Sequence, residues 1–191
     1  MTITIRHLAL PGVLEILPQQ HSDDRGTFCE VWNAQDFARN GIDVAFIQDN
    51  HSVSRQRGVL RGMHYQLAPF AQHKLVRVVR GSVFDVVADI RPGSPTFGQW
   101  VWAELSAAHW NQLLVPAGYA HGFVTLEPDT EVIYKVSRPY SREHERTIRF
   151  DDPHLAIRWP YPHNNLQLSP KDLAAPYLDF AELPRLVKED A

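Results

Sequence analysis

The stretch Gly58-Val59-Leu60-Arg61-Gly62-Met63-His64-Tyr65-Gln66 carries a guanidinium and an imidazole three residues apart, and Lys74 opens the next apolar run ten positions after His64. An imidazole takes up and releases a proton near neutral pH. Cations beside it suit an anion or a negative charge that develops during a reaction. The set reads as a cationic pocket with a titratable base. The same residues also have a plainer reading, in which Arg61 and Lys74 are solvated strand charges and His64 is a satisfied core histidine. Spacing alone leaves both open.

Tyr134 lies inside Thr130-Glu131-Val132-Ile133-Tyr134-Lys135-Val136, where alternation puts Val132, Tyr134 and Val136 on one face. It is either a core tyrosine with a partnered hydroxyl or a proton donor facing a base. Asp172 stands three residues after Ser169 at a helix start. It serves either as an N-terminal capping carboxylate or as the group that orients His64 and raises its basicity. Ten histidines invite a metal hypothesis. Metal-binding jelly rolls take two histidines and a Glu from one strand pair and a further His after a Pro-x-Gly turn. Pro116-Ala117-Gly118-Tyr119-Ala120-His121 supplies the second half, but Gln66 stands where the second His belongs, and Phe70 and Ala71 stand where Glu is expected. Two imidazoles without a carboxylate hold a divalent ion poorly, so no metal and no cofactor are expected.

Arg61 and His64 are an odd number of positions apart, so a regular strand would point them to opposite sides. If both serve one pocket, the strand must break near Gly62, where a bulge is tolerated. Both would then face the cavity that holds Lys74 and Tyr134, and Gly62→Val would cost far more activity than stability.

The elements that must position these groups are mostly strands. Residues 1–20 are β-rich, 21–26 form a turn, and 27–32 read as a strand. A short helix follows, with Asn33 as N-cap and Gly41 past its end, before extended chain to Asn50. Residues 74–80 and 83–90 are rich in Val, and Gly81-Ser82 between them reads as a two-residue hairpin turn. In the second arm Asp85 and Asp89 alternate with Phe84, Val86, Ala88 and Ile90, which predicts one polar and one apolar face. Short strands at 100–105, 112–115, 122–126 and 130–136 follow, separated by Pro116-Ala117-Gly118 and Glu127-Pro128-Asp129. Ser169 and Pro170 mark a late helix start. Many short strands with few helices predict an all-β antiparallel sandwich or barrel. One domain over 1–191 is expected, with 177–191 as a peripheral tail.

Composition is that of an ordinary soluble globular protein: 191 residues, 44% apolar, 21% charged. The net charge of −3 gives no basic excess for nucleic acid. The lone Cys29 excludes an internal disulfide. No apolar h-region opens the chain, and no run approaches the roughly 20 residues of a membrane span. A cytoplasmic location is expected, without a membrane partner.

Taken together, the segments resemble the dTDP-4-dehydrorhamnose 3,5-epimerase family. The resemblance runs over about residues 5–178, through Asp24-Arg25-Gly26 with Phe28 and Glu30, then Phe46 to Ser52, Gly58 to Gln66 and Lys74-Leu75-Val76-Arg77. It continues through Gly81 with Val83 to Val86, Arg91 to Gly98, Pro116 to Phe123, Tyr134-Lys135, Asp151-Asp152-Pro153, Trp159-Pro160 and Leu168 to Asp172. It departs at His73 and at Thr147-Ile148-Arg149-Phe150, where Gly-Ile-Arg-Trp is more usual. The resemblance implies a cupin-like jelly-roll homodimer, without metal, that epimerises C3 and C5 of a dTDP-4-keto-6-deoxy sugar. By position, His64 would be the base, Asp172 its partner, Tyr134 the acid and Lys74 the group that steadies the enolate. Arg25, Glu30, Gln48, Asn50, Asp49, Arg61, His121, Glu145 and Lys171 would touch ligand, and Tyr140 would stack on thymine. Some relatives act at C3 or C5 alone. A metal-dependent cupin oxygenase or isomerase and a silent sugar-binding cupin are the competing readings.

Overall fold

The computed structural model describes residues 3–184. Two antiparallel sheets face each other across an apolar interior. The first has six strands in the order β1 (Ile3–His7), β2 (Leu14–Pro18), β10 (Gln112–Val115), β7 (Lys74–Arg80), β12 (Thr130–Val136) and β5 (Gln48–Ser54). The second has five, in the order β13 (Glu145–Thr147), β6 (Leu60–Gln66), β11 (Tyr119–Thr125), β8 (Ser82–Asp89) and β9 (Trp100–Ser106). A separate ribbon pairs β3 (Gln20–Asp23) with β4 (Gly26–Cys29). The two α-helices are short, α1 (Ala34–Arg39) and α2 (Pro170–Leu173). This is the expected all-β jelly roll with short peripheral helices.

Both helix starts follow from their caps. Asn33 accepts from the backbone N–H groups of Gln35 and Asp36, and Ser169 accepts from that of Asp172 with Pro170 in the first turn.

The hairpin expected at Gly81 does not form. β7 pairs with β10 and β12, whereas β8 pairs with β9 and β11, so the chain crosses between sheets at this corner. Gly81 has φ +75°, and a Cβ there would lie 2.5 Å from Thr130 Oγ1. The Gly and the two Val-rich runs are as expected, but their pairing partners lie elsewhere in the chain.

The polar face expected on β8 is also absent, because every residue of the strand is buried. Phe84, Val86 and Ala88 pack outward against Phe150, Leu155, Ile157, Trp159 and Leu178. Val83 and Val87 pack inward with Val76, Val78, Leu113 and Val132. Asp85 and Asp89 share that inner side by alternation and are fully buried. A third cluster, Ile3, Leu14, Ile16, Phe37, Ile42, Leu75 and Leu114, covers the outer face of the six-stranded sheet. Within the expected tail, Leu178 is a core residue and its N–H donates to Asp152. Residues 185–191 of that tail lie outside the described residues.

Candidate active site

A cavity of about 480 Å³ opens between the two sheets at one end of the sandwich. His64, Arg61, Lys74, His121, Tyr134, Lys171 and Asp172 all line it. The sequence therefore named every charged or titratable group of its wall.

Arg61 and His64 reach one cavity through the expected break in β6. His64 pairs with His121, and Arg61 pairs with Phe123, so three steps along β6 match two along β11. The extra residue returns both side chains to the same face. Gly62 permits it, with φ +148° and its Cα side pressed against β11. A Cβ would lie 2.5 Å from Gly122 Cα and 3.1 Å from the His121 carbonyl. This corrects the expectation for Gly62→Val. Any side chain here pushes two backbones apart, so stability falls together with activity.

His64 Nε2 lies 2.6 Å from Asp172 Oδ1. The imidazole is 30% exposed at the cavity, whereas the carboxylate is 4% exposed behind it. Burial works to raise the Asp172 pKa. The hydrogen bond and charge of His64, with the Ser169 cap, outweigh it and hold the carboxyl below its usual range. Both sequence readings of Asp172 hold at once, since its N–H is capped by Ser169 while its side chain braces the imidazole.

Lys74 Nζ donates to the His64 carbonyl at 3.5 Å. Loss of hydration lowers its pKa to about 8, against the pull of Asp85 and Glu145. Tyr134 projects inward from β12, as alternation requires, and joins the inner cluster. Burial raises its pKa, so the phenol keeps its proton at neutral pH. His121 Nε2 lies 2.8 Å from Asp85 Oδ1, both buried.

A second group stands beside Asp172. Lys171 Nζ lies 2.6 Å from Glu145 Oε2, which also accepts from the Tyr140 hydroxyl at 2.9 Å. Burial raises the Glu145 pKa, but Lys171 and Tyr140 win and hold it low. The Tyr140 ring is 56% exposed. Arg61 is held by Ser54 Oγ at 3.2 Å and the Val53 carbonyl at 3.3 Å.

On β5 the alternation divides the expected triplet. Asn50 is the register partner of Tyr134, and Ser52, which lines the cavity, shares its parity. Gln48 Nε2 donates to Asn50 Oδ1 at 2.8 Å. Asp49 has the opposite parity and bonds Lys135 at 3.0 Å, and it lines a depression on the outer face together with Asn50; neither Gln48 nor Asn50 lines the main cavity. Arg25 and Glu30 do not line the cavity either. Arg25 bonds its neighbour Asp23 on the exposed ribbon, and Glu30 accepts from Asn33. Gln66, the departure from a metal-ligand pattern, is spent on backbone. It donates to the Phe70 and Pro139 carbonyls and accepts from the Ser141 N–H. Val59, Leu60 and Ser169 also line the wall, as do Ser52, Phe123, Gln167 and Leu168, which were missed as site residues. Ser52 was legible as the next residue in the Gln48, Asn50 alternation; nothing local marks the others.

A two-sheet jelly roll with a carboxylate-braced imidazole, a buried phenol and an ammonium in one cavity has the build of a cupin-like acid–base enzyme. The sequence profile of dTDP-4-dehydrorhamnose 3,5-epimerase matches residues 7–179, and the chain belongs to that family. It is 51% identical to a dTDP-4-dehydrorhamnose 3,5-epimerase of Sinorhizobium fredii over 177 residues, 93% of this chain and 89% of that one. The crystal structure of a dTDP-6-deoxy-D-glucose-3,5-epimerase from Legionella pneumophila, in complex with dTDP-4-keto-L-rhamnose, superimposes with TM-score 0.92 at 44% identity. It covers 97% of this chain and 100% of that one. A 3'-monoepimerase of Streptomyces bikiniensis, in complex with dTDP-quinovose, superimposes with TM-score 0.86 at 36% identity, covering 93% and 91%.

Proposed function

We propose that this chain inverts C3 and C5 of dTDP-4-dehydro-6-deoxy-glucose to give dTDP-4-dehydrorhamnose. The observation that carries the reading is the His64–Asp172 pair at 2.6 Å in the same cavity as Tyr134 and Lys74. The C4 ketone acidifies the hydrogens on C3 and C5. His64, braced by Asp172, takes one of them as base. The electron pair moves to the C4 oxygen, where the Lys74 ammonium meets the enolate charge. Inversion requires the proton to return on the other side of the carbon. Tyr134 stands on the six-stranded sheet and His64 on the five-stranded one, so base and acid approach from opposite walls. Each group is reset by exchange with solvent. The chemistry calls for no metal and no cofactor.

Arg61 and Lys171 supply the cations for a diphosphate, and Tyr140 offers an exposed ring for thymine. His121 completes the sugar end, with Gln48 and Asn50 acting from β5 outside the cavity wall, and Glu145 orders Lys171 and Tyr140. Arg25 and Glu30 are best explained by a homodimer. They lie on or beside a ribbon that joins neither main sheet and exposes Phe28 at 71%. Such an arm serves a neighbouring copy's site more readily than its own. Asp49 then acts through the β5 edge. Among the described residues no helix is long and apolar enough to cross a membrane, and we infer a cytoplasmic enzyme without nucleic-acid partners.

The test is incubation with the 4-keto-6-deoxy sugar nucleotide in deuterated water, followed by NMR. Label at both C3 and C5 is expected; label at neither removes the reading. The likeness to a 3'-monoepimerase favours a second reading, single-centre epimerisation, which label at one carbon would select.

A further inference from the structure

A second histidine–carboxylate pair faces the first across β6 and β11, and the chemistry above gives its carboxylate no task. Asp85 is fully buried on the inner side of β8. Its Oδ1 accepts from the His121 Nε2 at 2.8 Å, and its Oδ2 has no hydrogen-bond partner among the described residues. A buried carboxylate with one idle oxygen is costly unless a nearby cation repays it. That cation is Lys74, for which Asp85 is the strongest attracting charge. The two lie on consecutive strands joined by the Gly81 corner, which carries β8 into the facing sheet. Both side chains therefore face the interior of the sandwich, Lys74 from the six-stranded sheet and Asp85 from the five-stranded one.

We propose that Asp85 is a positioning residue for the reaction, holding His121 by its Nε2–H and acting as the buried counter-charge that keeps Lys74 an ammonium at the sugar end of the cavity. The inference rests on the epimerase reading for its kinetic arm. Around Lys74, the groups that carry charge or titrate are His64 and Arg61 from β6, Asp85 from β8, His121 from β11, Tyr134 from β12 and Glu145 from β13. Asp172 and Lys171 from α2 act on His64 and Glu145. Glu145 is shared with Lys171 and Tyr140, so Asp85 is the only one of these carboxylates committed to the Lys74 side. Because a carboxylate only accepts, the His121 proton sits on Nε2 and Nδ1 is left for the ligand.

Asp85→Asn keeps the shape and an acceptor while removing the charge. Lys74 then loses its proton at lower pH, and the alkaline limb of the kcat profile moves below its wild-type position. A displacement of one unit leaves about a tenth of the ammonium form on that limb, hence about a tenfold lower kcat there. KM changes by less than about twofold, since the diphosphate cations are untouched. A purely structural Asp85 would lower the melting temperature without moving the limb. A folded Asp85→Asn with the wild-type kcat and limb overturns the inference. Absence of label at C3 and C5 with the wild-type protein would instead overturn the epimerase reading. Nitrogen-15 NMR of His121 in the wild-type protein is independent of both activity and the folding of the variant. A proton on Nε2 with Nδ1 bare at alkaline pH is expected, and the opposite tautomer overturns the inference.

Discussion

His64 and His121 are cross-strand partners, and each points its Nε2 at a buried carboxylate of its own, Asp172 at 2.6 Å and Asp85 at 2.8 Å. The two pairs differ in exposure. His64 is 30% exposed to the cavity and His121 is 8% exposed. The open imidazole can exchange its proton with substrate and solvent, whereas the closed one is fixed. This difference supports the proposal of His64 as base.

Tyr134→Phe keeps the ring in the inner cluster and removes the proton. Deuterium still enters from solvent through His64, but inverted product forms about a hundredfold or more slowly, the usual worth of a positioned acid. NMR of the sugar after partial turnover separates the two. A wild-type rate with wild-type stereochemistry would make Tyr134 a packing residue.

The Lys74 pKa of about 8 gives a direction for both activity and stability. The phenol of Tyr134 titrates above its usual range, so activity is expected to fall as pH rises past about 8 through Lys74, as a pH–rate profile would show. The folded state disfavours the ammonium, so the unfolded chain binds more protons between about 8 and the ordinary 10.5. This group's share of stability therefore rises with pH across that window. Lys74→Met should abolish turnover and lower the melting temperature at pH 7, because it leaves the buried Asp85 carboxylate without its facing cation. A melting temperature that rises instead would contradict the counter-charge role given to Asp85.

Gly62→Ala should lose more than ~2 kcal/mol of stability, because φ +148° and the Gly122 contact leave no room for a Cβ. Denaturant titration reads the loss directly. Activity measured well below the melting temperature should also fall, as Arg61 and His64 lose their common face. An unchanged midpoint would mean that β6 can repack without its bulge.

Exhaustive chelation should leave the rate unchanged. His64 and His121 each spend one nitrogen on a carboxylate, and Gln66 is tied to three backbone groups. A rate lost with chelator and restored by a divalent ion would replace the acid–base mechanism with a metal one.

The strands, the capped helices and the inward face of Tyr134 were legible because each depends on alternation or on a local cap. The bulge at Gly62 was legible from parity alone. The hairpin at Gly81 was misread because a Gly-Ser turn between Val-rich runs looks the same whether the chain folds back in its own sheet or crosses to the facing one. The face of Asp85 was misread for a related reason. Alternation says that two faces differ, not that both are covered. Asp172 lies 108 positions from His64, beyond any local pattern, so its pairing stood as one of two readings until the family resemblance favoured it.

The corner at Gly81 also bears on how this chain can fold. It sends consecutive strands into different sheets, and the six-stranded sheet joins strands far apart in the chain, β2 beside β10 and β5 beside β12. Neither sheet can be completed while the other is still unfolded, so no half of the molecule presents a working cavity. Pairings of this range close slowly, in about milliseconds to seconds for comparable all-β domains. Loss of activity on heating or in denaturant should therefore coincide with loss of the sheets rather than precede it.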